Sequence, residues 1–485
     1  MALHQPVRTS RSAASIACRV AGVLASAAAL IAASTGPAQA GTTYLTPALG
    51  KLTNARYNHD CFWGGPKGQD YAFLPGAQPI QLPNLYPDVG STYFVGQYIL
   101  PAGASLTFRG NFPDERYFSF TMFRPVGGGQ IGPGDSMRDE SIVPDRGSVN
   151  PFAGRNRRDA KPRAYTVNIV AGPIPAVRAR NTIYTGSTDP TARVGMSMRN
   201  YLPSRGKDGT GGVGLPKLTL NLADGRKLQG AAACQELQPS KAVSTSTYPA
   251  DAWKALVAAA ADPVNAPVPP TPKWERFWNA GYSVTGAFIA DPAKRLAQYP
   301  PSDAGGFQSN PDTRYLTAQI SLKYGRVITV TGKMPTFPET LPANPRWKPF
   351  PYQVRYWSLC TGSSPVSGFG FDCVYDQLIA LRGDRRYTLV VSRPADRPRN
   401  ATAACGSGWL DFGKGEDYPD PAARNYIATL YMRFMAANPS FAQAPQKVKT
   451  PGTEPAVMGP YLPRSQYTTK AAFEKRGCKK PPSRK

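Results

Sequence analysis

The sequence predicts a mainly β protein built as two tandem, related β-sandwich halves, jelly-roll-like, with long Gly/Pro-rich loops and a few short helices. Three observations lead there. The first is an internal repeat. Residues 93–110 (YFVGQYILPAGASLTFRG) align without a gap on residues 315–332 (YLTAQISLKYGRVITVTG), with Tyr93/Tyr315, Gln97/Gln319, Leu100/Leu322, Gly103/Gly325, Thr107/Thr329 and Gly110/Gly332 identical. The spacing of 222 residues returns at Tyr165-Thr166-Val167 against Tyr387-Thr388-Leu389. The second is a period-two alternation of large apolar and small polar residues, as in Phe118-Ser119-Phe120-Thr121-Met122, which puts one strand face on a core. The third is composition: 46 Gly and 50 Pro in 485 residues leave little room for long helices and favour strands joined by loops.

The elements follow in chain order. Residues 1–40 carry Arg8, Arg11 and Arg19, an apolar run over residues 20–33, a Gly36-Pro37 break and the small-residue stretch Ala38-Gln39-Ala40. That is the layout of a cleavable signal peptide, with an apolar run too short to span a bilayer comfortably. The protein is therefore expected to be exported, to the periplasm or the extracellular space. The first half is placed at residues 41–262. Within it, Pro125 to Gly134 reads as a Gly/Pro-rich loop, and residues 249–262 as a helix, with Pro249 in its first turn, Asp251 at its positive end and an alanine run behind them. Pro263, Pro267, Pro269, Pro270 and Pro272 then form a stiff linker over residues 263–272. The second half is placed at residues 273–469, and a basic tail at residues 470–485. Arg116-Tyr117-Phe118-Ser119-Phe120 matches Arg355-Tyr356-Trp357-Ser358-Leu359, and Met198-Arg199 matches Met432-Arg433. Four matches in one order point to duplication.

Past residue 40 six cysteines remain: Cys61, Cys234, Cys360, Cys373, Cys405 and Cys478. An even count in an oxidising compartment favours disulfides. Cys360 and Cys373 flank a Gly/Ser/Pro-rich stretch and are expected to close a local loop. Cys61 with Cys234 and Cys405 with Cys478 would keep each remaining bridge inside one half. No short C-x-x-C pair is present, so no zinc site, no other metal and no cofactor is expected.

Charge and missing motifs limit the chemistry. Lys and Arg number 57 against 31 acids, a formal charge of +26, which favours anionic partners. Candidates are an anionic envelope polymer, a polysaccharide or the face of an anionic membrane. The basic residues are scattered and form no recognisable nucleic-acid module. Two local clusters stand out, Arg155, Arg157, Arg158, Lys161 and Arg163, and the tail with Lys470, Lys475, Arg476, Lys479, Lys480, Arg484 and Lys485. A single histidine, His59, follows residue 40, too few for a multi-imidazole metal site. There is no G-x-S-x-G elbow, no P-loop and no strand-following G-x-G-x-x-G.

What remains as candidate chemistry is short. His59 and Asp60 sit beside Cys61. Asp114 and Glu115 precede the Arg116 strand, with Asp139, Glu140 and Asp145 beyond it, and paired acids suffice for glycoside cleavage. Arg116 and Tyr117 recur as Arg355 and Tyr356, with Trp357 alongside. An arginine beside aromatic rings recognises carboxylate, phosphate or sugar, or else holds packing. Trp274 and Trp278 would share one face if helical, as a stacking platform or as packing.

Residues 310–315 (NPDTRY), 332–338 (GKMPTFP) and 355–360 (RYWSLC), with the Arg386-Tyr387-Thr388-Leu389-Val390-Val391 strand and the Trp409-Leu410 step, resemble a family of uncharacterised exported bacterial proteins with tandem β-sandwich domains of unknown function. The likeness spans residues 270–445, with a weaker echo over residues 80–205. It implies a β-rich exported protein and supplies no catalytic residues. Two functions are therefore expected. One is a non-catalytic binding or structural protein of the cell envelope holding an anionic or carbohydrate ligand. The other is a secreted, glycan-directed hydrolase with carboxylates in a cleft between the halves.

Overall fold

The computed structural model describes residues 61–67, 86–88, 90–127, 130–154, 159–240, 268–283, 286, 289, 291–303, 305–306, 308–340, 352–362, 370–413 and 427–478. The signal segment 1–40, His59, Asp60, Arg155, Arg157, Arg158, the helix expected at residues 249–262, residues 263–267 of the linker and residues 479–485 of the tail lie outside these.

Among the described residues, ten strands precede residue 230: β1 (Gly64–Lys67), β2 (Ser91–Ile99), β3 (Ser105–Asn111), β4 (Glu115–Gly127), β5 (Gln130–Arg138), β6 (Ala164–Val170), β7 (Thr182–Tyr184), β8 (Arg193–Pro203), β9 (Lys217–Asn221) and β10 (Lys227–Leu228). They form two sheets, ordered β1-β2-β8-β4-β5 and β10-β9-β3-β6-β7. Nine more follow: β11 (Glu275–Arg276), β12 (Thr313–Ser321), β13 (Val327–Lys333), β14 (Tyr356–Gly362), β15 (Gly370–Tyr375), β16 (Arg386–Ser392), β17 (Gly408–Asp411), β18 (Ile427–Met435) and β19 (Arg464–Thr468). These give sheets ordered β11-β12-β18-β14-β15 and β17-β16-β13-β19. Among the described residues the two orders correspond strand for strand, except that β10 has no counterpart. The chain is thus mainly β, with short helices such as α1 (Gly230–Leu237) and α2 (Lys470–Glu474) at the margins. Among the described residues no helix is long and apolar enough to cross a membrane.

Each pair of sheets encloses a core. In the first, Phe94, Tyr98, Phe118, Phe120 and Met198 of one sheet meet Leu106, Phe108, Val167, Ile169 and Leu220 of the other. In the second, Leu316, Trp357, Leu359, Leu430 and Phe434 meet Ile328, Val330, Leu389, Val391 and Leu410. Strand β6 shows why these residues fold so. Tyr165, Val167 and Ile169 point inward while Thr166 and Asn168 stay half-buried on the outer face, a pattern only a strand satisfies. Gly103 turns β2 into β3 with φ +68°, a conformation that disfavours side chains with a Cβ.

Other strands depart from this alternation. All nine residues of β18 and all seven of β14 are buried. The small polar residues of β4, Ser119 and Thr121, are also buried. The reason is a third contact: the outer face of sheet β1-β2-β8-β4-β5 packs against the outer face of sheet β11-β12-β18-β14-β15. Tyr86, Tyr117, Tyr201 and Leu202 of the first half meet Tyr356, Tyr375, Tyr431 and Met435 of the second across this seam. The seam therefore makes the middle sheets two-sided, as in sheets covered on both faces.

The stretch from Pro125 to Gly134, expected as a loop, belongs to the β4–β5 hairpin, which pairs Phe123 with Pro133 and Pro125 with Ile131. Strand β5 is a sheet edge, where proline is tolerated because no neighbour needs its N–H. Gly134 fits for a second reason: a Cβ there would lie 2.7 Å from the Met122 carbonyl oxygen. Trp274 and Trp278 are not on one helix. Both are buried in the second core, with the Trp274 indole donating to Ser465 Oγ at 2.8 Å.

Three disulfides are present, Cys61–Cys234, Cys360–Cys373 and Cys405–Cys478, the pairs expected from the sequence. They fit a non-reducing environment.

Candidate functional site

The seam holds most of the polar residues picked out in the sequence, and it is built twice. Arg116 enters β4 pointing away from its own core. Its Nη1 lies 2.7 Å from both carboxylate oxygens of Asp376, and its Nε donates to Thr340 Oγ1 at 3.1 Å. Asp376 opens a 3-10 turn just after β15, and its Oδ2 also accepts the Trp357 N–H at 3.0 Å. The mirror arrangement runs the other way. Arg355, one residue before β14, donates to Asp139 Oδ1 at 2.5 Å and to Glu140 Oε2 at 2.9 Å. Asp139 opens a 3-10 turn just after β5, and its Oδ2 accepts the Phe118 N–H at 2.9 Å. Each half thus lends an arginine to an aspartate of the other, and that aspartate also bonds a strand two residues past its own half's arginine.

A second pair of reciprocal contacts lies beside the first. Residues 86–88 and 90 occupy places before β2 equivalent to those of residues 308–310 and 312 before β12. Tyr86 and Gln308 both adopt positive φ, 41° and 53°. Each thereby presents its carbonyl to an arginine of the opposite half: Arg433 donates to Tyr86 O at 2.6 Å, and Arg199 donates to Gln308 O. Asp88 is fully buried and accepts from Gly90 N at 2.8 Å, Tyr356 Oη at 2.7 Å and Ser358 Oγ at 2.6 Å, with Arg433 Nη1 at 2.9 Å. Its counterpart is Asn310, whose Nδ2 donates to Tyr117 Oη at 3.1 Å, while Tyr117 gives its own proton to Asp312 Oδ2 at 2.7 Å.

The electrostatics of the seam follow from its dryness. Burial pushes the Asp139 carboxyl up to about 6, with Arg355 pulling against it. Burial also raises Asp376, opposed by Arg116. Burial works against the charge on Arg433, yet Asp88 and the surrounding tyrosines outweigh it and hold the guanidinium protonated. The hydroxyls of Tyr117, Tyr201, Tyr356 and Tyr431 are raised well above their usual value, first by burial. This arrangement offers no base poised near neutrality with an open approach. It pairs charges, as buried ions require.

The remaining candidates are placed as follows. Asp114 is half-buried and accepts from Ser204 Oγ at 2.9 Å. Glu115 is fully buried at the start of β4 and, after burial itself, helps raise the Tyr165 hydroxyl. Asp145 accepts from Thr166 Oγ1 at 3.1 Å. The Trp357 indole belongs to the second core, 5.4 Å from the Tyr387 ring. Asp88, Cys360 and Cys373 approach within 4.8 Å, but the two sulfurs share a disulfide and offer no thiolate to a metal.

One acid pair lies outside the seam. Asp372 of β15 accepts from Cys373 N at 2.9 Å and from Asp411 N at 3.1 Å, tying the edge of one sheet to the edge of the other. Asp135 of β5 does the same in the first half, through Ser136 N at 2.7 Å and Tyr184 N at 3.0 Å. The duplicated bonding makes this aspartate a clasp between sheets. What differs is the neighbour: Asp411 stands where the first half has Tyr184. Burial pushes Asp372 up to about 7, with the Asp411 N–H opposing the rise and the Asp411 carboxylate adding to it.

Asp376 and Asp88 are among the acids that sequence reading left out, with Asp135, Asp372 and Asp411. The signal for Asp376 was present: Asp139-Glu140-Ser141-Ile142 and Asp376-Gln377-Leu378-Ile379 form one more matched pair of the repeat.

No protein-family model and no curated protein matches this chain. Among solved structures it is similar to an uncharacterized protein from Burkholderia cenocepacia, with a TM-score of 0.41 and 12% identity, covering 93% of this chain and 96% of that one. It is also similar to a protein from Vibrio parahaemolyticus, with a TM-score of 0.34 and 10% identity, covering 89% of this chain and 98% of that one.

Proposed function

We propose that this is an exported, non-catalytic binding or structural protein of the cell envelope, which holds an anionic or carbohydrate ligand on its outer surface. The observation that carries this reading is the occupation of the seam. A carboxylate hydrolase working between the halves needs two acids with room for a sugar between them. Here Asp88, Asp139, Glu140 and Asp376 each face an arginine supplied by the opposite half. The ring contact between Tyr201 and Tyr356, at 5.1 Å, fills the space beside them. The formal charge of +26 then favours anionic ligands at the exterior.

The test is a pull-down of the disulfide-intact protein on purified envelope fractions and on an anionic polysaccharide, across a salt series. Retention at low salt that falls as salt screens the charges is the expected result. Retention unaffected by high salt, or none at all, would overturn the charge-driven reading.

A further inference from the structure

We propose that the loop between β6 and β7, residues 171–181, docks this protein on an anionic lipid bilayer. The proposal rests on the binding role above and names its partner and its place. Four large apolar side chains are exposed among the described residues: Val177 at 88%, Ile174 at 45%, Leu296 at 45% and Val143 at 40%. Ile174 and Val177 lie on this loop. Val143 lies against its returning arm, where Asn181 accepts from Val143 N at 2.8 Å and donates to Val143 O at 2.7 Å.

The loop is held at its base and projects at its tip. On the outgoing arm, Gly172 N donates to Ser187 O at 2.8 Å and Gly186 N donates to Gly172 O at 2.9 Å. On the returning arm, Ala179 N donates to Tyr184 Oη at 3.2 Å and Arg180 donates to Pro144 O at 3.2 Å. Arg178 reaches Asp135 at 2.5 Å. Pro173 and Pro175 restrict the backbone between these anchors. Such a tip presents its aliphatic side chains with little ordering left to do on binding.

The duplication shows that this exposure is particular to one half. The equivalent connection in the second half, between β16 and β17, carries Cys405, and the Cys405–Cys478 bridge ties it to the end of the chain. There Ala401 packs with Phe473 of α2, and Asn400 donates to the carbonyls of Phe473 and Gly477. Among the described residues, no such cover lies over Ile174 and Val177.

Charge selects the partner. Arg178 and Arg180 are exposed on the loop itself, Arg178 reaching the buried Asp135 and Arg180 donating to Pro144 O. The exposed Asp189 lies in the next turn, two residues past the anchor Ser187. A few aliphatic residues with exposed arginines on the same loop suit the boundary between lipid headgroups and acyl chains. A stable protein interface needs a far larger patch, about 20–30 residues a side.

The test is co-sedimentation of the disulfide-intact protein with vesicles of phosphatidylcholine containing phosphatidylglycerol, against vesicles of phosphatidylcholine alone. Binding to the anionic vesicles is expected, with the double variant Ile174→Asp/Val177→Asp weakened roughly tenfold or more. Val177→Trp adds a reporter at an exposed site, and its emission should shift to the blue on the anionic vesicles. Unchanged sedimentation of the double variant, or a tryptophan that does not shift, removes the loop as the docking site and leaves the binding role standing. Retention on an anionic polysaccharide without vesicle binding rules out lipid as the partner. Retention on neither rules out the binding role as well.

Discussion

Arg116 and Asp376 join the two halves of the molecule through a two-point ion pair, with one guanidinium nitrogen 2.7 Å from each carboxylate oxygen and both side chains fully buried. Removing one member leaves the other charged in a dry seam, which costs about 3–5 kcal/mol. Arg116→Met is therefore expected to lower unfolding stability by that order. Adding Asp376→Asn, which removes the orphaned charge and keeps an acceptor for Trp357 N–H, should recover much of the loss. Urea unfolding of both single variants and the double variant measures this coupling. Losses that simply add would show that the pair does not act as a unit.

The Cys405–Cys478 bridge closes a 73-residue separation and holds the end of the chain, β19 and α2, against β13 and residues 400–401. A bridge of this kind contributes about 2–4 kcal/mol, mainly by restricting the unfolded chain. The double variant Cys405→Ser/Cys478→Ser should lose stability in that range. It should also lose hydrogen-exchange protection first at Phe473 and Tyr467, while Val167 in the distant first core stays protected. Uniform loss of protection in both halves would contradict this local role.

The repeat made the fold legible in the sequence, because duplicated strands keep their apolar periodicity even where identity is low. Arg116 and Arg355 were visible for the same reason. Their use was not, since the acids they meet lie 260 and 216 residues away, in the other half. Alternation also misled at Ser119 and Thr121. Small polar residues on the second face of a strand read as facing water, yet here they face another sheet. The β4–β5 hairpin was hidden by its glycines and prolines, which an edge strand accommodates and a composition-based reading assigns to a loop.

Asp372 gives a pH dependence with a definite sign. Its carboxyl is pushed up to about 7 by burial, the Asp411 N–H opposing and the Asp411 carboxylate adding to the rise, whereas an unfolded aspartate titrates near about 3.9. Between these values the folded state binds more protons than the unfolded state. Stability therefore falls as pH rises through that window, by up to about 1.4 kcal/mol per pH unit, and levels off above it. Asp139, pushed up to about 6, acts in the same direction. Asp411→Asn keeps an acceptor for Gly413 N while removing the neighbouring charge. It should move the upper end of the window to lower pH. Urea midpoints across this range for parent and variant decide the matter, and superimposable profiles would show that Asp411 does not influence Asp372.

Asp88 offers a test that the duplication itself designs. Its counterpart is Asn310, so an amide serves at that position in the other half, where Tyr117 also reaches Asp312. The residue equivalent to Asp312 is Gly90, where a Cβ would clash with the Tyr356 hydroxyl. The acid has thus moved by two residues between the halves, and the space left at Gly90 is what lets Tyr356 reach Asp88. Asp88→Asn keeps Oδ1 as the acceptor for Tyr356 and Gly90 but loses the Oδ2 that accepts from Ser358 and the charge that faces Arg433, so a loss of about 1–3 kcal/mol is expected. Asp88→Ala strips Tyr356, Ser358 and Gly90 of their acceptor and orphans Arg433, at a loss of about 3–5 kcal/mol. Gly90→Ala should destabilise through the Tyr356 clash even though it removes no hydrogen-bonding group. Unfolding curves for the three variants would refute this account if Asn at position 88 proved as damaging as Ala, because the seam would then depend on the charge rather than on the shape of the acceptor.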